Sequence, residues 1–314
     1  MEKRRFSNSE EIDLKEIFLI LWNAKYFIAT TFILASILSV IYALSLPNIY
    51  KSSAILTPVS HSENSMSALS DVQMGTLANI TGISIPSSNI NKAVIGIEVM
   101  RSRQFFSNFG LTDEFLVPLI ASRGWEMSTD TLVINEEIYN LKQKNWVRDA
   151  RPPRTSKPSL QEAHKKFMSL FSISRDVKTG LITLSIDHYS PNIAKKWLEE
   201  VIFEINNSTR YKDIANAELS IDFLNEEINN TQNTGLLVGL NQMIQSHTEK
   251  KVFARATKEY VFQVIDPPHA PEIKSSPRRS IICIIGAIVG TIFGVLVALL
   301  RHYFFNSKRP ALLQ

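Results

Sequence analysis

The chain is expected to fold as an α+β protein in which two transmembrane helices flank an α/β base that carries a long extended helical hairpin. Three patterns lead there. Two runs, Phe27 to Leu46 and Ile281 to Leu300, contain no Asp, Glu, Lys or Arg, and about 20 helical residues cover the ~30 Å hydrocarbon core of a bilayer. Between them, apolar and polar residues alternate from Phe171 to Asp187 around Lys178-Thr179-Gly180, the mark of a strand hairpin. From Pro191 the period changes from two to about 3.6 and persists well beyond the length of an ordinary helix.

The chain from Glu11 to Trp22 places apolar residues at helical spacing, with Trp22 and Tyr26 where an interfacial aromatic belt would lie. This reads as an amphipathic helix leading into the first span. A cleaved secretory signal is the competing reading of that span. The run is longer than a typical h-region, follows about 25 charge-rich residues, and ends in Leu44-Ser45-Leu46-Pro47 rather than at a small-x-small site. Lys3, Arg4, Arg5, Lys15 and Lys25 precede it, and Lys51 is the only basic residue for a long distance after it. The positive-inside rule then places residues 1–26 in the cytoplasm, and the second span, 281–300, returns the tail 301–314 to the same side. Lys274, Arg278 and Arg279 balance Arg301, Lys308 and Arg309 around that second span, so the orientation rests on the first.

Residues 47–280 would then form a domain outside the cytoplasm, long enough to bury a core of its own. The formal net charge of +4 is spread along the chain and argues for no nucleic-acid partner. Cys283, the single cysteine, lies in the second span, so no intrachain disulfide braces the domain. Ile49 to Val59 reads as a strand, Ser60 to Ser88 as a Ser- and Asn-rich loop, and Asn91 to Phe109 as a helix stopped at Gly110. Arg148 to Pro158 holds three prolines among four basic residues and reads as a surface linker, with a proline-rich docking site as the alternative. A helix from Ser159 to Leu170 leads into the strand hairpin.

Pro191 suits a first helical turn, and Ala194, Trp197, Val201 and Ile205 form one stripe. Ile214, Ala217, Ile221, Leu224 and Ile228 continue it like the seam of a coiled coil. A helix over 191–231 is about 60 Å long. Asn233-Thr234-Gly235 is the expected reversal, and 236–258 returns through Leu237, Leu240 and Ile244. Two ordinary helices of a compact bundle are the competing arrangement. Tyr260 to Asp266 reads as a strand. The segment 266–279 carries Pro267, Pro268, Pro271 and Pro277, which force an extended, stiff path. In the second span Gly286, Gly290 and Gly294 recur every four residues and leave a groove along one helix face where another helix can approach.

Catalytic patterns are missing. The six histidines show no metal-ligand spacing, no Ser sits in a nucleophile elbow, and no phosphate-binding Gly-x-x-x-x-Gly-Lys-Ser/Thr loop occurs. Glu199-Glu200 and Glu226-Glu227 fall on the polar faces of helices. The expectation is a protein that is not an enzyme and uses no cofactor or metal.

With these elements in place, the chain resembles the Wzz-type chain-length determinants, the polysaccharide co-polymerases of Gram-negative inner membranes. The residues that carry the likeness are Ile49-Tyr50-Lys51-Ser52-Ser53-Ala54 after the first span, the Lys178-Thr179-Gly180 hairpin feeding the Pro191 helix, and Asp266-Pro267-Pro268. The most specific is Ser276-Pro277-Arg278-Arg279 followed by Gly286, Gly290 and Gly294. The resemblance implies a periplasmic α/β base near the membrane, a helical extension away from it, and a ring of identical subunits. It also implies control of the modal length of O-antigen or a related surface polysaccharide, with the growing polysaccharide chain and a separate membrane polymerase as partners. Members that carry a tyrosine kinase have a cytoplasmic nucleotide-binding domain; this sequence looks like the short, kinase-free class. The stretch between its spans is shorter than in many members. A periplasmic adaptor of a polysaccharide or small-molecule export complex is the alternative from another class, but a single anchor and lipoyl-like half-motifs flanking the hairpin would be expected of it, and neither is seen. A ligand sensor would need a cytoplasmic output module that the short tails do not offer.

Overall fold

The structure is a computed structural model that describes residues 14–59 and 88–306. The loop read between Ser60 and residue 87, the residues Lys3, Arg4, Arg5, Lys308 and Arg309, and the first residues of the lead-in helix lie outside the described residues. In chain order the elements are α1 (Leu14–Asn23), α2 (Lys25–Ser45), β1 (Tyr50–Pro58), α3 (Ser88–Arg101), α4 (Arg103–Ser107), α5 (Asp113–Ile120), β2 (Ser122–Glu126), β3 (Thr131–Ile134), β4 (Tyr139–Asn140) and β5 (Asn145–Trp146). There follow α6 (Leu160–Leu170), β6 (Phe171–Arg175), β7 (Ile182–His188), α7 (Pro191–Asn230), α8 (Thr234–Ala256), β8 (Phe262–Asp266) and α9 (Arg279–Asn306). They divide into a terminal unit, Met1–Asn48 with Ser275–Gln314, and a central unit, Ile49–Lys274.

The terminal unit is built on α2 and α9, both long and apolar enough to cross a bilayer. They pack against each other along their length, and α1 also touches both.

The central unit is organised by a four-stranded sheet of order β6-β7-β1-β8 in which every neighbouring pair is antiparallel. Strands β1, β6, β7 and β8 and the helices between them follow the split βαβ pattern. Period-two alternation sets which side chains enter the core. The inward residues Ser52, Ala54 and Leu56 of β1 lie opposite Ile186, Leu184 and Ile182 of β7, and all six are buried. The other face is polar, with the hydroxyls of Ser172 and Ser185 2.7 Å apart and Lys51 3.6 Å from Asp187. Gly180 turns β6 into β7 with φ +72, a conformation that glycine adopts without steric cost. The N-terminal half of α7 covers the inner face with Ala194, Trp197, Leu198, Val201 and Ile205. Phe105, Phe106, Phe109, Phe115 and Phe167 complete that core, with Phe115 stacked on Trp197 at 4.3 Å.

The helix read over Asn91 to Phe109 is two helices. Ser102 breaks it, because its hydroxyl accepts the N–H of Phe105 at 3.1 Å and starts a new helix as its N-cap. The return helix begins at Thr234 rather than at 236. The side chain of Asn233 accepts from the N–H groups of Gly235 and Leu236 at 3.0 and 3.2 Å, so Gly235 enters the first turn and the reversal shortens to Thr231-Gln232-Asn233. The segment from Asp113 to Trp146, which carries no strong periodicity, forms α5 and two small strand pairs, β2-β3 and β4-β5.

Candidate functional site

Two arrangements stand out, the long hairpin of the central unit and the paired helices of the terminal unit. The hairpin starts from a fixed corner. Ser190 caps α7 by accepting the N–H of Ile193 at 3.3 Å, Pro191 occupies the first turn, and the N–H of Ser190 donates to Nδ1 of His188 at 3.0 Å. With Nδ1 accepting, the ring proton sits on Nε2, 3.2 Å from the carbonyl of Pro118. His188 is 3% exposed and rests edge-on against Trp197. Burial holds the imidazole neutral and pushes its pKa from 6.5 down to about 4.

This has a consequence with a definite sign. As pH falls through 6.5 the unfolded chain takes up a proton at His188, while the folded one does so only near 4. Stability present above pH 6.5 is therefore lost between those values, on the order of 3 kcal/mol in all. Urea unfolding of the full chain in detergent is expected to show the loss, and His188→Gln is expected to flatten that part of the profile.

From this corner α7 runs 40 residues, about 60 Å, and α8 returns beside it. Of the seam residues read from sequence, Ala217 and Leu224 are buried and Ile214, Ile221 and Ile228 are half-buried. Charged pairs flank the seam: Glu218 with Arg255 at 2.7 Å, and Asp213 with Lys250 at 3.3 Å and the Tyr260 hydroxyl at 2.7 Å. Such exposed pairs set the alignment of the two helices more than their stability. The hairpin rejoins the sheet through Asn206, which is 5% exposed. Its Oδ1 accepts the N–H groups of Val261 and Phe262 at 2.7 and 2.9 Å, and its Nδ2 donates to the carbonyls of Phe262 and Ile202 at 3.0 and 3.2 Å. In the sequence Asn206 stands out only as an Asn-x-Ser/Thr site of little weight, with no structural role assigned; the available signal was an amide interrupting the apolar stripe directly after Ile205.

In the terminal unit, Gly286, Gly290 and Gly294 face Ser39, Ala35 and Thr31 of α2 in the same chain. A Cβ on Gly290 would collide with Ala35 and come within 3.2 Å of the Thr31 carbonyl; one on Gly294 would meet Thr31 and approach Ile28 Cα at 3.3 Å. This is the close approach that small residues permit between apolar helices. Two further contacts hold the pair. Ser39 donates to the carbonyl of Ile282 at 2.8 Å. Arg279, at the start of α9, donates to the carbonyls of Ala43 and Leu46 at 3.0 and 3.4 Å and to Asn48 at 3.2 Å, satisfying acceptors left open at the end of α2. Neither contact follows from either helix read alone, because each needs the alignment of two segments over 230 residues apart in sequence.

Of the prolines, Pro268 is buried, Pro271 and Pro277 are half-buried and Pro267 is exposed. The Ser52 hydroxyl donates to the carbonyl of His269 at 2.8 Å and ties the segment to β1. The linker at Arg148 to Pro158 is anchored by Arg148, whose guanidinium pairs with both oxygens of Glu162 and donates to the carbonyls of Thr155 and Ser156. That guanidinium holds the Glu162 carboxyl below its usual range. Among the described residues, no group of three or more His, Cys, Asp or Glu side chains is placed to hold a metal ion.

Comparison with known proteins adds the following. Residues 10–109 match the family model Wzz, described as chain length determinant protein. No curated protein matches the chain at a significant level. Among solved structures, a full-length bacterial polysaccharide co-polymerase is 16% identical with a TM-score of 0.40, the match covering 95% of this chain and 100% of that one. A fragment of WzzB, a polysaccharide co-polymerase from Salmonella Typhimurium, is 15% identical with a TM-score of 0.32, covering 73% of this chain and 100% of that one. Both superpositions are loose. Over residues 10–109, then, the chain is similar to the Wzz chain length determinant family.

Proposed function

We propose that this protein is a non-catalytic regulator of surface polysaccharide chain length, acting as an oligomeric inner-membrane co-polymerase beside a separate polymerase. The observation that carries the reading is the match of residues 10–109 to the chain length determinant family. In this reading α2 and α9 cross the inner membrane of a Gram-negative bacterium. Both termini are cytoplasmic, the central unit is periplasmic, and identical subunits form a ring. O-antigen is the polymer expected.

A polymerase with a constant chance of release at each addition yields a geometric distribution in which short chains are always commonest. A preferred length requires the release probability to change with length. A protein without active-site residues can supply that change by holding the growing chain on an extended surface, and a 40-residue helix with a returning partner is such a surface. The paired α2 and α9 would present each subunit to the polymerase in one geometry.

The test is deletion of the gene, with the extracted lipopolysaccharide run on a silver-stained gel beside a complemented strain. A modal cluster of bands is expected to give way to a smooth decline from short chains and to return on complementation. Loss of all surface polymer would instead favour an export role.

A further inference from the structure

On the central unit, a groove of about 580 Å³ lies between the exposed side of α7, the end of α8, and the chain from β8 into Pro267 and Pro268. Two aromatic rings on its α7 wall face solvent: Phe203 is 63% exposed and Tyr211 59% exposed. Neither contributes to the sheet-facing stripe or to the hairpin seam. They are eight residues apart, about 12 Å along the helix axis, and between them lie the planar amide of Asn207 and the guanidinium of Arg210. Arg210 donates to Asn207 Oδ1 at 2.6 Å and sits 5.1 Å from the centre of the Tyr211 ring, so the guanidinium is held between the amide and the aromatic ring.

We propose that this groove binds a neutral stretch of the growing polysaccharide, with Phe203 and Tyr211 as stacking platforms and Asn207 and Arg210 as hydroxyl-binding groups. The inference rests on the chain-length reading and names the surface that would hold the glycan. Aromatic faces pack on the apolar C–H faces of sugar rings, while planar amide and guanidinium groups reach the hydroxyls at the ring edge. Two platforms separated by more than one sugar ring select an oligosaccharide over a monosaccharide. The charges lining the groove, Glu199 and Glu259 against Arg210 and Lys258, cancel and favour a neutral ligand.

Occupation by an extended peptide is disfavoured by the groove's own edge. The β8 strand that borders it has little backbone to offer: Asn206 holds the N–H and C=O of Phe262, Glu259 accepts the N–H of Val264 at 3.3 Å, and Pro267 and Pro268 carry no N–H. Strand addition, which relies on main-chain hydrogen bonds, finds few partners here. A ligand read by side chains fits.

The experiment is saturation-transfer NMR on the full chain in detergent. The probe is the oligosaccharide released from the host's lipopolysaccharide by mild acid, and dextran oligomers serve as the comparison. Transfer to sugar ring protons is expected with the wild-type protein, with affinity falling about tenfold in Tyr211→Ala and in Phe203→Ala. Unchanged unfolding curves would show that both exposed sites leave the fold intact. Equal transfer in wild type and variants, or none in either, overturns the proposal. So does a change in the mass of the detergent-solubilised assembly without a change in transfer, which would make the groove a contact between copies. The gel of the deletion strain separates the two levels. A negative NMR result with a deletion-dependent ladder removes only this site, whereas an unchanged ladder removes the chain-length reading and this inference with it.

Discussion

Replacing Asn206 by leucine is expected to destabilise the central unit by about 3 kcal/mol, although leucine is an excellent helix former. The native side chain satisfies the N–H groups of Val261 and Phe262 and the carbonyl of Phe262. Leucine satisfies none of them. Each buried backbone group left without a partner costs roughly 1–3 kcal/mol, and partial access of water at Val261 keeps the sum below the maximum. Hydrogen exchange of the full chain in detergent would locate the effect. Protection should fall first in β8 and the adjoining end of α8, while α2 and α9 stay protected. A variant as protected as wild type would show that the return of the hairpin does not depend on this amide.

A second large effect is expected at Gly290. In Gly290→Leu the new side chain would meet Ala35 and the backbone of α2 at Thr31 and Phe32, atoms that cannot rotate out of the way. The two helices must move apart, and the Ser39 bond to the Ile282 carbonyl must lengthen or break. The central unit does not share that contact, so its unfolding should change by less than about 0.5 kcal/mol. Under the proposed function the modal band cluster should broaden or vanish in cells that express the variant at wild-type level. Ile288→Leu, on an exposed face of the same helix, serves as the control and should leave the ladder unchanged. A wild-type ladder from well-expressed Gly290→Leu would separate helix pairing from length control.

How much of this was legible in the sequence depended on the range of the cause. Elements set by local chemistry were read closely: Ser190 and Pro191 announce a helix start, and the strand alternation around Gly180 places β6 and β7 to within about two residues. Charge-free runs mark α2 and α9, and the glycine spacing marks the face on which they meet. Errors came where a side chain competes with the regular pattern over one turn, as Ser102 does in breaking a helix and Asn233 in starting one. The groups that join distant segments, Arg279 on the end of α2 and Asn206 on β8, were not legible, because a hydrogen bond across the fold leaves no period in the chain. From sequence, Trp125, Trp146, Tyr189 and Trp197 could stack on sugar rings but read more readily as core packing, and Trp197 is buried in the core against Phe115 and His188. Phe203, Tyr211 and Phe223 are rings on α7 that do face solvent, and the first two line the groove.

The central claim is that the protein reshapes a length distribution without making polymer. Its most direct test is the total amount of surface polysaccharide, counted as repeat units, together with the length distribution in wild-type, deletion and complemented strains. The expected result is an unchanged total, with the peak replaced by a geometric decline in the deletion strain and restored by complementation. A deletion strain that keeps its peak while its total falls would contradict the account and point to a part in synthesis or export.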